Sequence, residues 1–477
     1  MSRVRGAAGL AAGIVAVIAT LVPSPAEAIP AFARKYGTSC LTCHTVFPRL
    51  TPFGEAFRRN NYMFPGTDTD FVKQDTVPLG QEAYKQMFPN AVWPGTLPAS
   101  IPMAAGFNGT AVIHPDKSAH AAVQDNGSIF TMNDLVAEGH LWFGGSFSEN
   151  ITFYGELTFG SDGSLDIEHA NIHFNNLLGP KHALHFVVGR FFPTLTSYGT
   201  HSAYAADTIY PGIALTALYG STTDSFAINN EYNGAEVNGM IKGRFIYSVG
   251  VNNGSNVDIR PSESVYAHVG FKIGGMRLDG EEGGAPGDPN KPWAENSISG
   301  DVFFWRSASR YTPAAAVTGT DAMGNPITTP RLDADETTWL VGGYSRLSLG
   351  SFALDAGAYN EWHRSGFISD AGDMMGGQAF AVFAEASYIV FPWLVPAFRF
   401  EWIRLQPDIG SSFGEWRIFP TVDFLIRPNL KFVLASQMEF SNNAAMNFST
   451  WGPAGGFAPN IKANEVENIT GTLAYAY

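Results

Sequence analysis

Long segments of alternating apolar and polar residues dominate the chain from about residue 101 to its C-terminus. In residues 416–426, Trp, Ile, Pro, Val, Phe and Ile occupy one parity, while Arg, Phe, Thr, Asp and Leu occupy the other. Segments 398–402 and 151–159 alternate in a similar way. A β-strand places successive side chains on opposite faces, so each segment predicts a strand with one largely apolar and one more polar face.

The length and spacing of these segments favour a membrane barrel over a soluble sandwich. A sandwich also alternates, but its strands are usually about five or six residues long. Short turns and long loops should lie at opposite ends of an outer-membrane barrel. The sequence predicts short turns at 427–429, 391–393, 350–351, 179–180 and 243, and long loops at about 192–223, 308–335, 363–376 and 441–463. One connection, about 275–296, is long where the pattern predicts a short turn, which would fit a miscounted strand.

The C-terminal residues 469–477 alternate up to a terminal Tyr, as expected of a closing strand that ends among interfacial aromatic residues. Counting segments predicts an all-β transmembrane barrel of about 16 antiparallel strands over residues 101–477. The lumen of such a barrel is wide enough to hold a small domain. Outer-membrane lipid is therefore one expected partner.

The two cysteines of the chain, Cys40 and Cys43, are followed at once by His44. This CxxCH motif is the attachment site of a c-type haem, with thioether bonds from both cysteines and His44 as the proximal ligand of the haem iron. A zinc site would need more Cys or His nearby, and the next histidine is His114. The motif predicts one covalent haem c and a role in electron transfer.

The N-terminus predicts export, which covalent haem attachment requires. Arg3 and Arg5 precede a small and apolar run over 6–22, and Ala26-Glu27-Ala28 offers a cleavage site. Residues 1–28 are therefore expected to be a signal peptide. With both cysteines committed to haem, none is left for a structural disulfide.

Residues 29–100 are expected to form a small mono-haem cytochrome c domain, mainly of helix and loop. Thr51 suits a helix N-cap, and Pro52 suits the first helical position. Met103 is the preferred distal ligand, because a Pro-bounded loop can hold its thioether near iron. Met87, Met63, His114 and an open sixth position stay as alternatives.

The remaining composition excludes several functions. A formal net charge of −14 argues against nucleic acid as a partner. No general acid–base pair, nucleophile triad or phosphate loop is predicted. His169, His173 and His185 fall on neighbouring predicted strands and could face one another in the lumen, although unmapped strand register makes a metal site there a minority interpretation.

A known family shares the start of this chain. The shared positions are Ile29-Pro30-Ala31-Phe32-Ala33-Arg34, the CxxCH motif at 40–44, Phe47-Pro48, Phe53-Gly54, Phe57 and Tyr62. With these residues the chain resembles the fused cytochrome–porins of the outer membrane, whose best-known members oxidise ferrous iron outside the cell. The order of parts matches along the whole chain, whereas specific motifs match only about residues 29–65. Lys35-Tyr36 and Asn61 depart from the pattern of the iron oxidisers, which leaves the donor open.

The resemblance implies an oxidoreductase-type electron conduit in the bacterial outer membrane. Its haem domain would lie inside the lumen or at its periplasmic mouth, because a haem on either face could not serve the other side of a bilayer core about 30 Å thick. The expected partners are extracellular Fe(II), or another reduced donor, and a periplasmic cytochrome. The alternatives are a diffusion porin with a haem plug or sensor domain, electron export to Fe(III) or another acceptor, and a soluble periplasmic haem enzyme.

Overall fold

A computed structural model describes most of the chain. The described residues are 31–65, 76–78, 86–87, 96–98, 103–113, 130–131, 138–148, 150–160, 163–206, 208–211, 228–253, 264–280, 291–311, 316–320, 326–329, 334–368, 374–409, 412–441 and 464–476. The predicted signal peptide, 1–28, and His114 lie outside them.

Helices are confined to the N-terminal part of the described chain. They are α1 (Ala31–Tyr36), α2 (Cys40–Cys43) and α3 (Pro52–Arg59). The strands are β1 (Thr76–Pro78), β2 (Thr96–Pro98), β3 (Met103–Ile113), β4 (Phe130–Thr131), β5 (Glu138–Ser148), β6 (Ile151–Gly160), β7 (Leu165–Phe174), β8 (His185–Phe191), β9 (Tyr232–Ile241), β10 (Phe245–Asn252), β11 (Ser264–Gly274), β12 (Glu295–Tyr311), β13 (Ala316–Thr320), β14 (Pro326–Thr329), β15 (Ala334–Gly350), β16 (Phe352–Ile368), β17 (Met374–Tyr388), β18 (Leu394–Pro407), β19 (Phe413–Arg427), β20 (Leu430–Ser441) and β21 (Asn464–Ala476). No described helix is long and apolar enough to cross a bilayer.

A closed antiparallel barrel of porin type forms the bulk of the molecule. Among the described residues, sixteen strands make its wall, namely β3, β5–β12 and β15–β21, while the two-residue β4 pairs with the end of β3. The last strand, β21, pairs with β20 on one side and with β3 on the other, which closes the barrel. The predicted antiparallel β-barrel, its strand number and its closing strand are confirmed.

The two faces of the barrel strands differ as the alternation predicts. On β18, Arg399 is 1% exposed and Glu401 3%, whereas Phe398, next to Arg399, is 50% exposed. On β19, Asp423 is buried and Trp416 is half exposed. On these strands the charged side chains point inward, whereas the outward face carries large apolar side chains.

The two rims of the barrel carry different connections. The short-turn rim holds the connections between β15 and β16, β9 and β10, and β19 and β20; the long-loop rim holds those between β8 and β9, β12 and β15, and β20 and β21. The predicted 363–376 loop is too long, because β16 and β17 continue to pair up to Ile368 and Met374 across a register shift.

The anomalous connection near 275–296 is not a miscounted strand. It joins β11 to β12 at the short-turn rim. Its first residues contact the N-terminal segment: the backbone carbonyl of Asp279 accepts a hydrogen bond from Asn60 Nδ2 at 3.0 Å. A Cβ on Gly280 would lie 2.8 Å from Pro65, which shows how closely the two segments approach. The start of this connection thus packs against the N-terminal segment.

Candidate cofactor site in the barrel lumen

The CxxCH motif forms one helical turn. In α2, the Ser39 hydroxyl caps the N-terminus by accepting from Leu41 N at 3.3 Å, and His44 N donates to Cys40 O at 2.9 Å. Residues three apart share one face of a helix, so Cys40 and Cys43 are presented together with His44 beside them. This is the arrangement that two thioether bonds and one iron ligand require.

The following helix is packed against this turn. Thr51 caps α3 as predicted, because its hydroxyl accepts from Gly54 N at 3.0 Å and donates to Thr42 O at 2.9 Å. Gly54 makes the approach possible: a Cβ there would lie 2.0 Å from Cys43 O. The first turn of α3 thus holds the motif in place.

The His44 ring is oriented in the way that metal-binding histidines usually are. Its Nδ1 lies 3.2 Å from the backbone carbonyl of Pro48, to which it can donate as the Nδ1–H tautomer. This leaves Nε2 as the ligand atom. Burial lowers the pKa of His44 below its usual value, although the carbonyls of Pro48 and Arg49 favour the charged form. A neutral imidazole with Nε2 free of its proton fits an iron ligand.

The two thiols do not have the properties of a redox-active pair. Both cysteines are free. Burial raises the pKa of Cys40, and burial together with the charge of Cys40 raises the pKa of Cys43 to about 12. The thiols are therefore protonated at neutral pH, unlike the activated thiolate of a redox CxxC pair.

The N-terminal segment, residues 31–65, contacts side chains that point into the barrel. Arg49 Nη1 lies 2.8 Å from Asp355 Oδ2 of β16. Lys35 Nζ donates to Ser146 Oγ of β5 at 3.3 Å. Since β5 and β16 are well separated around the barrel wall, the segment crosses the lumen.

Arg49 forms ion pairs with two carboxylates of the barrel wall. Besides Asp355, it lies 3.5 Å from Glu385 Oε1, and all three side chains are at most 6% exposed. Burial disfavours the charge of Arg49, yet the facing carboxylates raise its pKa above the usual value. Sequence reasoning missed this ion pair, because its partners are about 300 residues away and only strand register brings them together.

A second segment, the lumen loop (residues 192–211), also folds inward between β8 and β9. Glu385 accepts hydrogen bonds from the backbone N–H groups of Tyr204 at 2.8 Å and Ala205 at 3.2 Å. Arg399 donates to the carbonyls of Thr208 and Ile209, both at 3.1 Å. Charged residues of the barrel wall thus satisfy the loop backbone.

The lumen loop and the N-terminal segment contact each other. The hydroxyls of Thr45 and Tyr204 lie 2.6 Å apart, and the Arg49 guanidinium stacks over the Tyr204 ring at 4.7 Å. Ser202 Oγ donates to Glu55 Oε1 of α3 at 3.0 Å. Together the two segments fill much of the barrel interior.

A cavity of about 340 Å³ remains beside His44. Its volume is within the range of small-molecule pockets. Three parts of the chain line it: the N-terminal segment through His44, Pro48 and Tyr62, the wall of β6–β10, and the lumen loop. The structure therefore offers a concave, partly aromatic space beside His44.

The three histidines singled out from the sequence all line this cavity. Two of them mainly hold the N-terminal segment: His173 Nδ1 lies 2.8 Å from Asn61 Oδ1, and His185 Nδ1 lies 3.3 Å from Asn61 Nδ2. His169 Nε2 instead approaches Glu156 Oε2 at 3.9 Å. The three face one cavity as expected, but among the described residues the possible metal-ligand group is a different one, His140, Glu156 and Glu168.

Met103, the preferred distal ligand, is the first residue of β3. Its side chain is 39% exposed, on the strand face that carries the exposed Phe107 and opposite the buried Ala104. It does not line the cavity beside His44. Its role as a ligand stays a prediction from the sequence, one that the geometry does not favour.

Comparisons with known proteins give fold likeness only. No family model and no curated protein matches the chain. Among solved structures, a loop L8 deletion mutant of OmpT, an outer membrane protein of Vibrio cholerae, is 10% identical over 79% of this chain and 99% of that one, with a TM-score of 0.49. An anion-selective porin from Comamonas acidovorans is 11% identical over 79% of this chain and 99% of that one, with a TM-score of 0.48. The outer membrane channel DcaP of Acinetobacter baumannii is 12% identical over 79% of this chain and 97% of that one, with a TM-score of 0.46. At such values nothing about activity follows.

Proposed function

We propose that the protein is an outer-membrane electron conduit with one covalent haem c inside its barrel. The observation that carries the proposal is the His44 imidazole, tied by Nδ1 to the Pro48 carbonyl and lining a cavity that the barrel wall encloses. Bound there, the haem would take up and release single electrons. Cys40 and Cys43 would hold it by thioether bonds, and His44 Nε2 would bind its iron.

The outward surface supports a place in the membrane. Val249 is 56% exposed, Val302 60% and Ile273 63%, on barrel strands whose opposite faces are polar or charged. Such a surface is costly in water and favourable against acyl chains. The lumen, by contrast, is packed with ion pairs and hydrogen bonds to the N-terminal segment.

The filled lumen favours a conduit over a diffusion porin. A diffusion porin keeps an aqueous channel through the barrel, whereas here the N-terminal segment and the lumen loop bond to each other and to the wall. An electron needs no aqueous path, only a cofactor within the membrane thickness. The N-terminal resemblance supports Fe(II) as the extracellular donor and a periplasmic cytochrome as the acceptor.

The test is anaerobic stopped-flow mixing of the oxidised full-length protein, in detergent, with Fe²⁺, followed at the haem absorption bands. We expect reduction of one haem per chain, and loss of covalent haem in Cys40→Ser/Cys43→Ser. The reverse mixing, of reduced protein with Fe³⁺, measures export. Spectra that Fe²⁺ leaves unchanged, combined with porin-like ion conductance in planar bilayers, would favour the diffusion porin instead.

A further inference from the structure

We propose that His140, Glu156 and Glu168 bind the metal donor, a first-row divalent cation such as Fe²⁺, inside the barrel. This inference rests on the proposed function and gives it a substrate site. The three residues lie on the neighbouring strands β5, β6 and β7. One potential ligand atom from each lies within 4.8 Å of the other two.

The geometry is close to that of a real metal site. Two atoms bound to one ion at about 2.1 Å can be no more than roughly 4.2 Å apart, so a small side-chain adjustment closes the site. Glu156 is already held in place, because its Oε1 lies 3.2 Å from His140 Nδ1 and its Oε2 accepts from the Tyr154 hydroxyl at 3.1 Å. One imidazole and two carboxylates suit Fe²⁺, which accepts both nitrogen and oxygen ligands.

A second observation points to a missing ligand at this place. His169 is 9% exposed, and its Nδ1 is buried without a hydrogen-bond partner. Its Nε2 lies 3.9 Å from Glu156 Oε2, too far for a hydrogen bond. Leaving a buried imidazole nitrogen without a hydrogen-bond partner is costly. A cation bound in the gap between His169 Nε2 and Glu156 would give the ring a ligand bond and would complete a set of two histidines and two carboxylates.

The position along the barrel fits an entry site for an extracellular donor. His140 is near the start of β5 and Glu168 near the start of β7, and both ends lie at the rim where the long connection between β8 and β9 also begins. Long loops mark the extracellular side of such barrels. Glu156 and His169 line the cavity that His44 also lines. The cluster thus lies between the long-loop rim and the haem position.

The electron balance is simple. Fe²⁺ at the cluster loses one electron and becomes Fe³⁺, and the oxidised haem iron beside His44 gains that electron. No bond to carbon, oxygen or hydrogen is made or broken, so no further reactant is needed. The two carboxylates favour the more highly charged product and so lower the cost of oxidation.

A second group in the same lumen provides a matched control. His363 lies between Glu336, at 3.0 Å from its Nδ1, and Glu361, at 3.1 Å from its Nε2. It contains the same residue types and is more deeply buried, and both ring nitrogens are already bonded to carboxylates. The structure therefore gives this group no open nitrogen for a metal, and Glu361→Gln should leave Fe²⁺ binding unchanged.

Binding is tested without electron transfer, on full-length protein whose haem has been reduced and freed of reductant. Anaerobic equilibrium dialysis should show one Fe²⁺ per chain in the parent and in Glu361→Gln. In Glu156→Gln and Glu168→Gln the affinity should fall by more than about tenfold. His140→Gln gives a third variant, and heat-modifiable migration checks that each barrel is folded.

Kinetics then separate the two proposals. With oxidised haem, reduction by Fe²⁺ should saturate with Fe²⁺ concentration in the parent and rise linearly and more slowly in Glu156→Gln, while reduction by ascorbate stays the same. If Fe²⁺ binds but never reduces the haem, the site stands and the conduit for iron fails. If all folded variants bind and react alike, the conduit stands and the site is wrong.

Discussion

At the scale of single residues, the most demanding position is Gly54. Its Cα hydrogen faces Cys43 O, where a Cβ would be only 2.0 Å away. We expect Gly54→Ala to push α3 off the CxxCH turn and to lower the yield of covalent haem several-fold. Gly199→Ala is the control, because its Cβ would meet Arg58 at an ordinary 3.5 Å. The measurement is the amount of haem per folded barrel, taken as the ratio of haem absorbance to heat-modifiable protein. Equal ratios in Gly54→Ala and Gly199→Ala would contradict the prediction.

Arg49 is the residue whose removal should loosen the N-terminal segment. Arg49→Met removes the ion pairs that join the N-terminal segment to Asp355 and Glu385, while Arg346 and Arg399 still face these carboxylates. Breaking a buried pair costs at most about 3–5 kcal/mol. We expect residues 31–65 to become protease-sensitive while the barrel stays intact. Arg427→Met, at the exposed end of β19, should change nothing. Limited proteolysis in detergent, followed by mass spectrometry, compares the two; equal protection would show that other contacts suffice.

Residues were predictable where their partners are close in sequence. The CxxCH motif and the Thr51 cap follow from spacings of three or four residues. Arg49 and Asn61 did not, because their partners lie on strands more than 100 residues away. The hydrogen bond between His44 Nδ1 and the Pro48 carbonyl is also local, since the two residues are four apart. The Phe47-Pro48 pair that follows the motif was the sequence feature from which it could have been predicted.

At the scale of elements, alternation predicted the strands, since one face of each must be apolar. It could not predict that the connection between β8 and β9 folds inward, because a lumen loop and a surface loop have similar composition. The long connection after β11 was equally unexplained by the pattern, and its first residues contact the N-terminal segment, which lies more than 200 residues away in sequence.

The inward course of the lumen loop should depend on its anchors. Glu385 accepts two of its backbone N–H groups and Arg399 donates to two of its carbonyls. We expect Glu385→Gln/Arg399→Met to release the loop, so that hydrogen exchange of residues 203–211 rises at least tenfold. Exchange on β18 should stay slow, as part of the hydrogen-bonded wall. Unchanged exchange in the loop would mean that its aromatic contacts, such as Tyr210 with Phe303, hold it alone.

At the scale of the whole molecule, the barrel and its contents are separable, because every wall strand pairs with two others and closure by β21 and β3 does not involve residues 31–65. Deleting residues 31–65 should therefore leave a folded barrel, recognised by its heat-modifiable migration. The lumen loop should then narrow the channel without closing it. In planar bilayers the full-length protein should show almost no ion conductance, and the deletion variant should show steady steps like those of a constricted porin. Adding Glu385→Gln/Arg399→Met to the deletion should raise the steps further, since both obstructions are then released. Full conductance of the intact protein would mean that water and ions pass beside the N-terminal segment, and the barrel would then transport solutes as well as electrons.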